Sequence, residues 1–209
     1  MDMGAHFRRC DLQVHTPRDL RWAGPDAVTD EERLVYGRRL VAACRDIGLQ
    51  AIAVTDHHCM AFLPFIRRAA REETSEDGSP LGPGERLTVF PGMELTLGVP
   101  CQAIVVFDAD LPNDMFPLVM TALAITQNHS AEAKVRDVVR LGTITTFSDL
   151  KAKLDAHEYL RGRYIVLPNV TGEGEHSLLR AGQADKYIEM PCVGGYSDGS
   201  YAKLREGTR

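Results

Sequence analysis

The chain contains no Cys-x-x-Cys pair. Its five cysteines, Cys10, Cys44, Cys59, Cys101 and Cys192, are scattered and odd in number. That argues against a disulfide framework or a zinc ribbon and for a reducing compartment. No apolar run is long enough to cross a bilayer, and the opening residues 1–9 lack the apolar stretch of a secretion signal. A cytoplasmic protein with no membrane partner is therefore expected. Positive charge is not in excess either: the formal net charge is -5. The chain as a whole is no polyanion binder, although local basic clusters can still take phosphate. Gly172-Glu173-Gly174-Glu175-His176 is glycine-rich but lacks the Gly-Lys-Ser/Thr ending of a phosphate loop. There is no internal repeat and no linker, so residues 1–209 read as one domain. At 44% hydrophobic and 25% charged, it has the composition of a globular protein with a real core.

What is present is an alternation of β-branched apolar runs with helical patterns, which points to an α/β fold with a largely parallel sheet. A strand over Asp11–His15 leads into a loop carrying Arg18, Arg21 and Trp22, the only tryptophan. A helix then starts at Thr29, which stands in capping-box register with Glu32. Leu34, Gly37, Val41 and Cys44 recur at helical spacing, and Gly48 closes the helix. Gln50–Val54 is the second strand, and Met60–Arg71 the second helix. The segment 72–84, rich in Glu, Ser, Pro and Gly, reads as an exposed loop. Leu87–Phe90, Ala103–Phe107 and Tyr164–Leu167 complete five strands. Helices are expected over Asp114–Thr126, Ser130–Arg140 and Ser148–Leu160, the last with Ser148 as N-cap.

Three stretches carry the chemistry: Cys10-Asp11-Leu12-Gln13-Val14-His15-Thr16, Ala53-Val54-Thr55-Asp56-His57-His58 and Pro91-Gly92-Met93-Glu94-Leu95. Each places a polar, metal-capable side chain where a strand stops. In α/β barrels those ends converge on one mouth. Histidines and carboxylates gathered there suit a divalent metal centre for phosphate chemistry. Pro91-Gly92 reads as a turn that aims the Glu94 carboxylate.

In their order these stretches resemble the PHP family, the polymerase and histidinol phosphatase domains, with its Asp-Leu-His-x-His-Thr, Thr-Asp-His and Pro-Gly-x-Glu motifs. With Tyr164–Val170 and Glu189–Tyr196, the chain looks like the PHP domain at the N-terminus of TrlF-like, AAA/SMC-related bacterial ATPases. The resemblance implies a distorted, seven-stranded βα barrel of PHP type. It implies metal ligation by His15, His57 and Glu94, with Glu94 bridging and Asp56 orienting an imidazole in the catalytic centre. The family's closing Asp-x-His has no match; Ser197-Asp198-Gly199-Ser200 is the nearest. A barrel truncated at its C-terminus, an N-terminal fragment of a longer protein, is therefore expected. A fused ATPase would then be a partner on the same polypeptide.

Against the family pattern, amides replace imidazoles. Gln13 stands at the first histidine, Gln102 at the one on the strand after Glu94, and Asn169 at a later one; Cys101 competes with Gln102 for that place. Arg21 falls near a further ligand position. Amides are weak ligands for a zinc-type ion but good donors to phosphate oxygens. The implied cofactor is thus zinc, manganese or magnesium, as a single or weakly bound ion. Gln13, Arg18, Arg21, Gln102 and Asn169 would bind substrate, and Arg21 would also serve catalysis by clamping the phosphate. His58 and His6 read as bystanders, His129 and His157 as surface residues, and His176 as a loop residue. The leading expectation is a metal-dependent phosphoesterase or nuclease acting on nucleic acid or nucleotide phosphate. Its rival is a catalytically weakened module that binds nucleic acid or regulates a fused ATPase. An amidohydrolase-like barrel would want an intact His-x-His and a bridging lysine, and neither is there.

Overall fold

The structure is a computed structural model that describes residues 8–19, 21–98, 101–126, 138–171, 177 and 193–197 of the 209. Its elements, in chain order, are β1 (Cys10–Val14), α1 (Asp30–Asp46), β2 (Ala51–Val54), α2 (Leu63–Arg71), β3 (Thr88–Thr96), β4 (Gln102–Phe107), α3 (Phe116–Ala122), α4 (Phe147–Asp155) and β5 (Tyr164–Pro168). A 3₁₀ turn, Asn113–Met115, precedes α3. The strands lie in chain order in one five-stranded sheet, curled into a half-barrel.

Strands β1, β2 and β3 are parallel, as crossover helices α1 and α2 require. The parallel arrangement ends there. Strands β3–β4 and β4–β5 are antiparallel; only five residues separate Thr96 from Gln102, too few for a parallel crossover. Pro91-Gly92 makes no turn; it lies inside a continuous β3. There the strand changes partners: Val54 pairs with Pro91 on the parallel side, and Gly92 pairs with Val106 on the antiparallel side. Proline fits at such a junction because it has no N–H to donate. Glycine fits because a Cβ at position 92 would come within 2.8 Å of the Val105 carbonyl and 2.9 Å of Thr55 Cγ2.

Helix α1 begins with both halves of the Thr29–Glu32 capping box. After its end Gly48 takes the left-handed conformation with φ +76°. Its inward face is Arg33, Gly37, Val41 and Cys44, with Leu34 only half-buried. At Gly37 a Cβ would meet α2 backbone atoms at 3.1–3.3 Å, so the missing side chain is what lets the two helices approach. Helix α4 is capped by Thr146, with Asp149 closing the box, and not by Ser148. The helix expected over Asp114–Thr126 is shorter, and Ser130–Arg140 falls largely outside the described residues. Segment 72–84 is largely exposed, pinned by a bridge between Thr74 and Pro80.

Strand periodicity sorts the core into two layers. Ile52, Val54, Ala103, Val105 and Phe107 join the large cluster beneath the helices. The alternate residues Ala53, Ile104 and Val106 form a small cluster on the concave side with Leu12, Phe90, Leu167 and Tyr196. Gln102 has the parity of Ile104 and Val106, and Glu94 pairs directly with Ile104. Both therefore stand on the concave face, above that small cluster.

Candidate metal centre

The ends of β1, β2 and β3 and the start of the reversed β4 meet at one mouth. His15 is the first residue past β1, Thr55-Asp56-His57 follows β2, Glu94 is near the end of β3, and Gln102 opens β4. A bridge between His57 and Glu94 prolongs the β2–β3 pairing. A cavity of about 280 Å³ opens there, walled by Gln13, His15, His57, Glu94 and Gln102 and, from the loop after β1, by Asp19, Arg21, Trp22 and Ala23.

Asp19 sits at the centre of this group. Its Oδ2 is 3.0 Å from His15 Nδ1 and 3.2 Å from His57 Nδ1. Glu94 Oε2 is 3.4 Å from His15 Nε2 and 3.5 Å from His57 Nδ1. The carboxylates are held from outside. Asp19 Oδ1 accepts from the Arg21 N–H at 2.8 Å. Glu94 accepts from Gln13 Nε2 at 3.2 Å and from the Tyr196 hydroxyl at 2.8 Å. The loop carrying Asp19 is fixed by Asp56, which accepts from both the N–H and the hydroxyl of Thr16, each at 2.6 Å.

These residues fit a divalent cation. His15 Nδ1, His57 Nδ1 and Asp19 Oδ2 are buried and lack a hydrogen bond of proper geometry despite their closeness. Ligands held 2.0–2.2 Å from a tetrahedral ion are about 3.4 Å apart, the spacing seen here. His15, His57 and Glu94 form one group of donor atoms that could hold an ion, and His15, Asp19 and Asp56 a second, overlapping group. The charge balance agrees. Burial works against a charged His15 ring, yet the neighbouring Asp19 and Glu94 carry its pKa up to about 10. Asp19 is held far below the usual carboxylate range: burial opposes this, and the two imidazoles prevail. Glu94 shifts down for the same reason. Burial pushes Asp56 up to about 6 against the pull of Thr16.

The structure brings together Gln13, His15, Arg21, His57, Glu94 and Gln102 from the residues singled out in the sequence. Gln102 Nε2 lies 3.5 Å from His57 Nε2, and Cys101 is buried beside it instead of lining the cavity. Arg18 is not at the mouth. It is fully buried, next to Cys59 and Arg33, and so cannot reach a substrate in this arrangement. Asn169 is buried too, its amide oxygen accepting from Thr171 N–H and its own N–H donating to the Gln102 carbonyl. Asp56 is 3.9 Å from His15 Nδ1 and instead fixes Thr16. His58 does not line the cavity and instead braces the backbone of β3. With φ +48°, its buried Nε2 accepts from the Thr96 N–H at 2.9 Å, and burial lowers its pKa to about 4. His157 lies in the turn after α4, whereas His6, His129 and His176 fall outside the described residues. Asp19 and Tyr196 were missed. Asp19 offered one signal, its place four residues past His15; Tyr196 offered none.

No protein-family model matches the chain, and no curated protein matches it. Several solved structures follow a similar path. A protein of Bifidobacterium adolescentis assigned as a metal-dependent phosphoesterase has 16% identity and a TM-score of 0.47, over 96% of this chain and 82% of that one. Endonuclease Q, bound to a 27-mer duplex with an abasic lesion at its active site, has 12% identity and a TM-score of 0.49, over 88% and 41%. The lesion-specific endonuclease of Pyrococcus furiosus has 13% and 0.49, over 88% and 40%. This chain thus spans less than half the length of the two endonuclease chains.

Proposed function

We propose that this domain is a metal-dependent phosphoesterase of the PHP kind, holding one divalent ion and acting on nucleotide or nucleic-acid phosphate. The observation that carries the reading is the convergence of His15, His57 and Glu94, whose donor atoms lie close enough to share one ion, with Asp19 set against both imidazoles. Bound there, a zinc, manganese or magnesium ion would polarise a phosphoryl oxygen and acidify a water. Gln13 and Tyr196 hold the Glu94 carboxylate in place. Asp56 positions the His15–Asp19 loop through Thr16. Arg21, exposed at the cavity wall, supplies a bidentate fork for phosphate. Gln102 offers a neutral donor on the far side.

The second reading, a weakened module that binds nucleic acid or serves a fused ATPase, is favoured by one observation. Where the family carries imidazoles, the amides Gln13 and Gln102 are turned to Glu94 and His57, so fewer ions can be held. Metal analysis with assay of bis(p-nitrophenyl) phosphate separates the two. The phosphoesterase binds about one ion and loses hydrolysis in His57→Ala and, more than about tenfold, in Arg21→Lys. Full metal occupancy with no hydrolysis of phosphodiesters or monoesters leaves the binding module. Absence of metal uptake ends the first reading.

A further inference from the structure

We propose that the phosphate ester taken by this site carries a nitrogen heterocycle, seated in a second cavity that shares Trp22 with the metal pocket. The inference rests on the proposed phosphoesterase reading and names its substrate class.

The second cavity, about 290 Å³, lies between the 22–28 loop and the first turns of α1. Of its residues only Trp22 also lines the metal pocket. A molecule reaching both cavities must therefore pass the indole. That indole is fixed in place. Its Nε1 donates to the Pro25 carbonyl at 3.0 Å, its edge meets Tyr36 at 5.7 Å and 86°, and Gly24 lies so close that a Cβ there would be 2.8 Å from the ring. Tyr36 is fixed in turn, by Phe62 at 5.5 Å and by a hydrogen bond from its hydroxyl to the His15 carbonyl at 3.3 Å. The aromatic wall is thus built on the backbone of a metal-ligand candidate. Pre-placed aromatic rings accept any heterocycle face, and little ordering remains to be done on binding.

Charge divides the labour between the two cavities. The second has three carboxylates, Asp26, Glu31 and Glu32, against one guanidinium, Arg39. It repels phosphate and offers acceptors to ring and exocyclic N–H groups. Glu32 is occupied by the Val28 and Thr29 N–H groups, and the exposed Glu31 stands at the rim for that task. The phosphate belongs in the first cavity, beside Arg21. A base can stack on the Arg39 guanidinium or accept from it.

Because Trp22 is the only tryptophan, its emission reports on this wall without a label. Adenosine and cytidine, which lack phosphate, are titrated with chelator present, alongside inorganic phosphate and choline. The expected result is a saturable change in emission with the nucleosides and none with phosphate or choline. Val35→Arg, at a half-exposed α1 position that faces only the second cavity, should weaken nucleoside binding at least about tenfold. No response to either nucleoside, a response unchanged in Val35→Arg, or a response to choline in place of the nucleosides would overturn the proposal. Manganese uptake, followed separately by metal analysis, tests the metal reading alone, so each can fail while the other stands.

Discussion

At the scale of single residues, Asp19 and Glu94 favour positive charge on the His15 ring. His15 is raised from an ordinary value near 6.5 to about 10. A base raised on folding contributes stability that is complete below its unfolded pKa and is lost as pH rises through the folded one. Chelated protein should therefore lose a few kcal/mol (order of magnitude) between pH 7 and 10. His15→Gln should lose clearly less over the same range, as read by urea unfolding at each pH. Equal slopes would mean that Asp19 and Glu94 do not hold that proton. A metal bound at pH 7 must likewise expel about one proton. His15, His57 and Glu94 were legible in the sequence because each motif puts its side chain at a strand end. Asp19 was not, because its place depends on how the loop turns after Thr16, which Asp56 fixes from 40 residues away. Tyr196 reaches Glu94 across 102 residues, a separation no local pattern spans.

At the scale of elements, local chemistry set the helices and close packing set the strands. The Thr29–Glu32 box was readable because both partners are near neighbours. The N-cap of α4 lies two residues before the Ser148 that residue type favours, because only Thr146 has an acidic residue in box register. The course of β3 was hidden behind Pro91-Gly92, which looks the same in a turn and at a change of strand partner. The distinguishing fact is spatial: Val105 and Thr55 press on Gly92 from either side. Gly92→Ala should accordingly cost about 1–3 kcal/mol, seen as an earlier denaturation midpoint with an unchanged slope. A turn glycine with open space around it would tolerate the alanine, and a neutral result would favour the turn.

At the scale of the whole molecule, the four candidate ligands come from the β1 end, the loop behind it, the β2 end and β3. An ion held by His15, His57 and Glu94 would tie the parallel half of the sheet together and is absent from the unfolded chain. Free metal at a hundred times its dissociation constant should add about 2.7 kcal/mol, or about 5–10 °C in melting temperature for a chain of this size. His57→Ala should abolish that shift, and a wild-type melt indifferent to zinc, manganese and magnesium would dissolve the centre. The antiparallel half behaves differently. Since β4 runs backwards, Gln102 arrives at the mouth at the beginning of its strand, directly after the short connection from Thr96. Residues added to that connection would re-form one wall of the site while the register of Ala103 through Phe107 stays as it is. Selection, or a protein engineer, can therefore rewrite what the pocket admits on that side by lengthening a loop, whereas on the parallel side the same change has to be bought by altering the strands that carry the ligands.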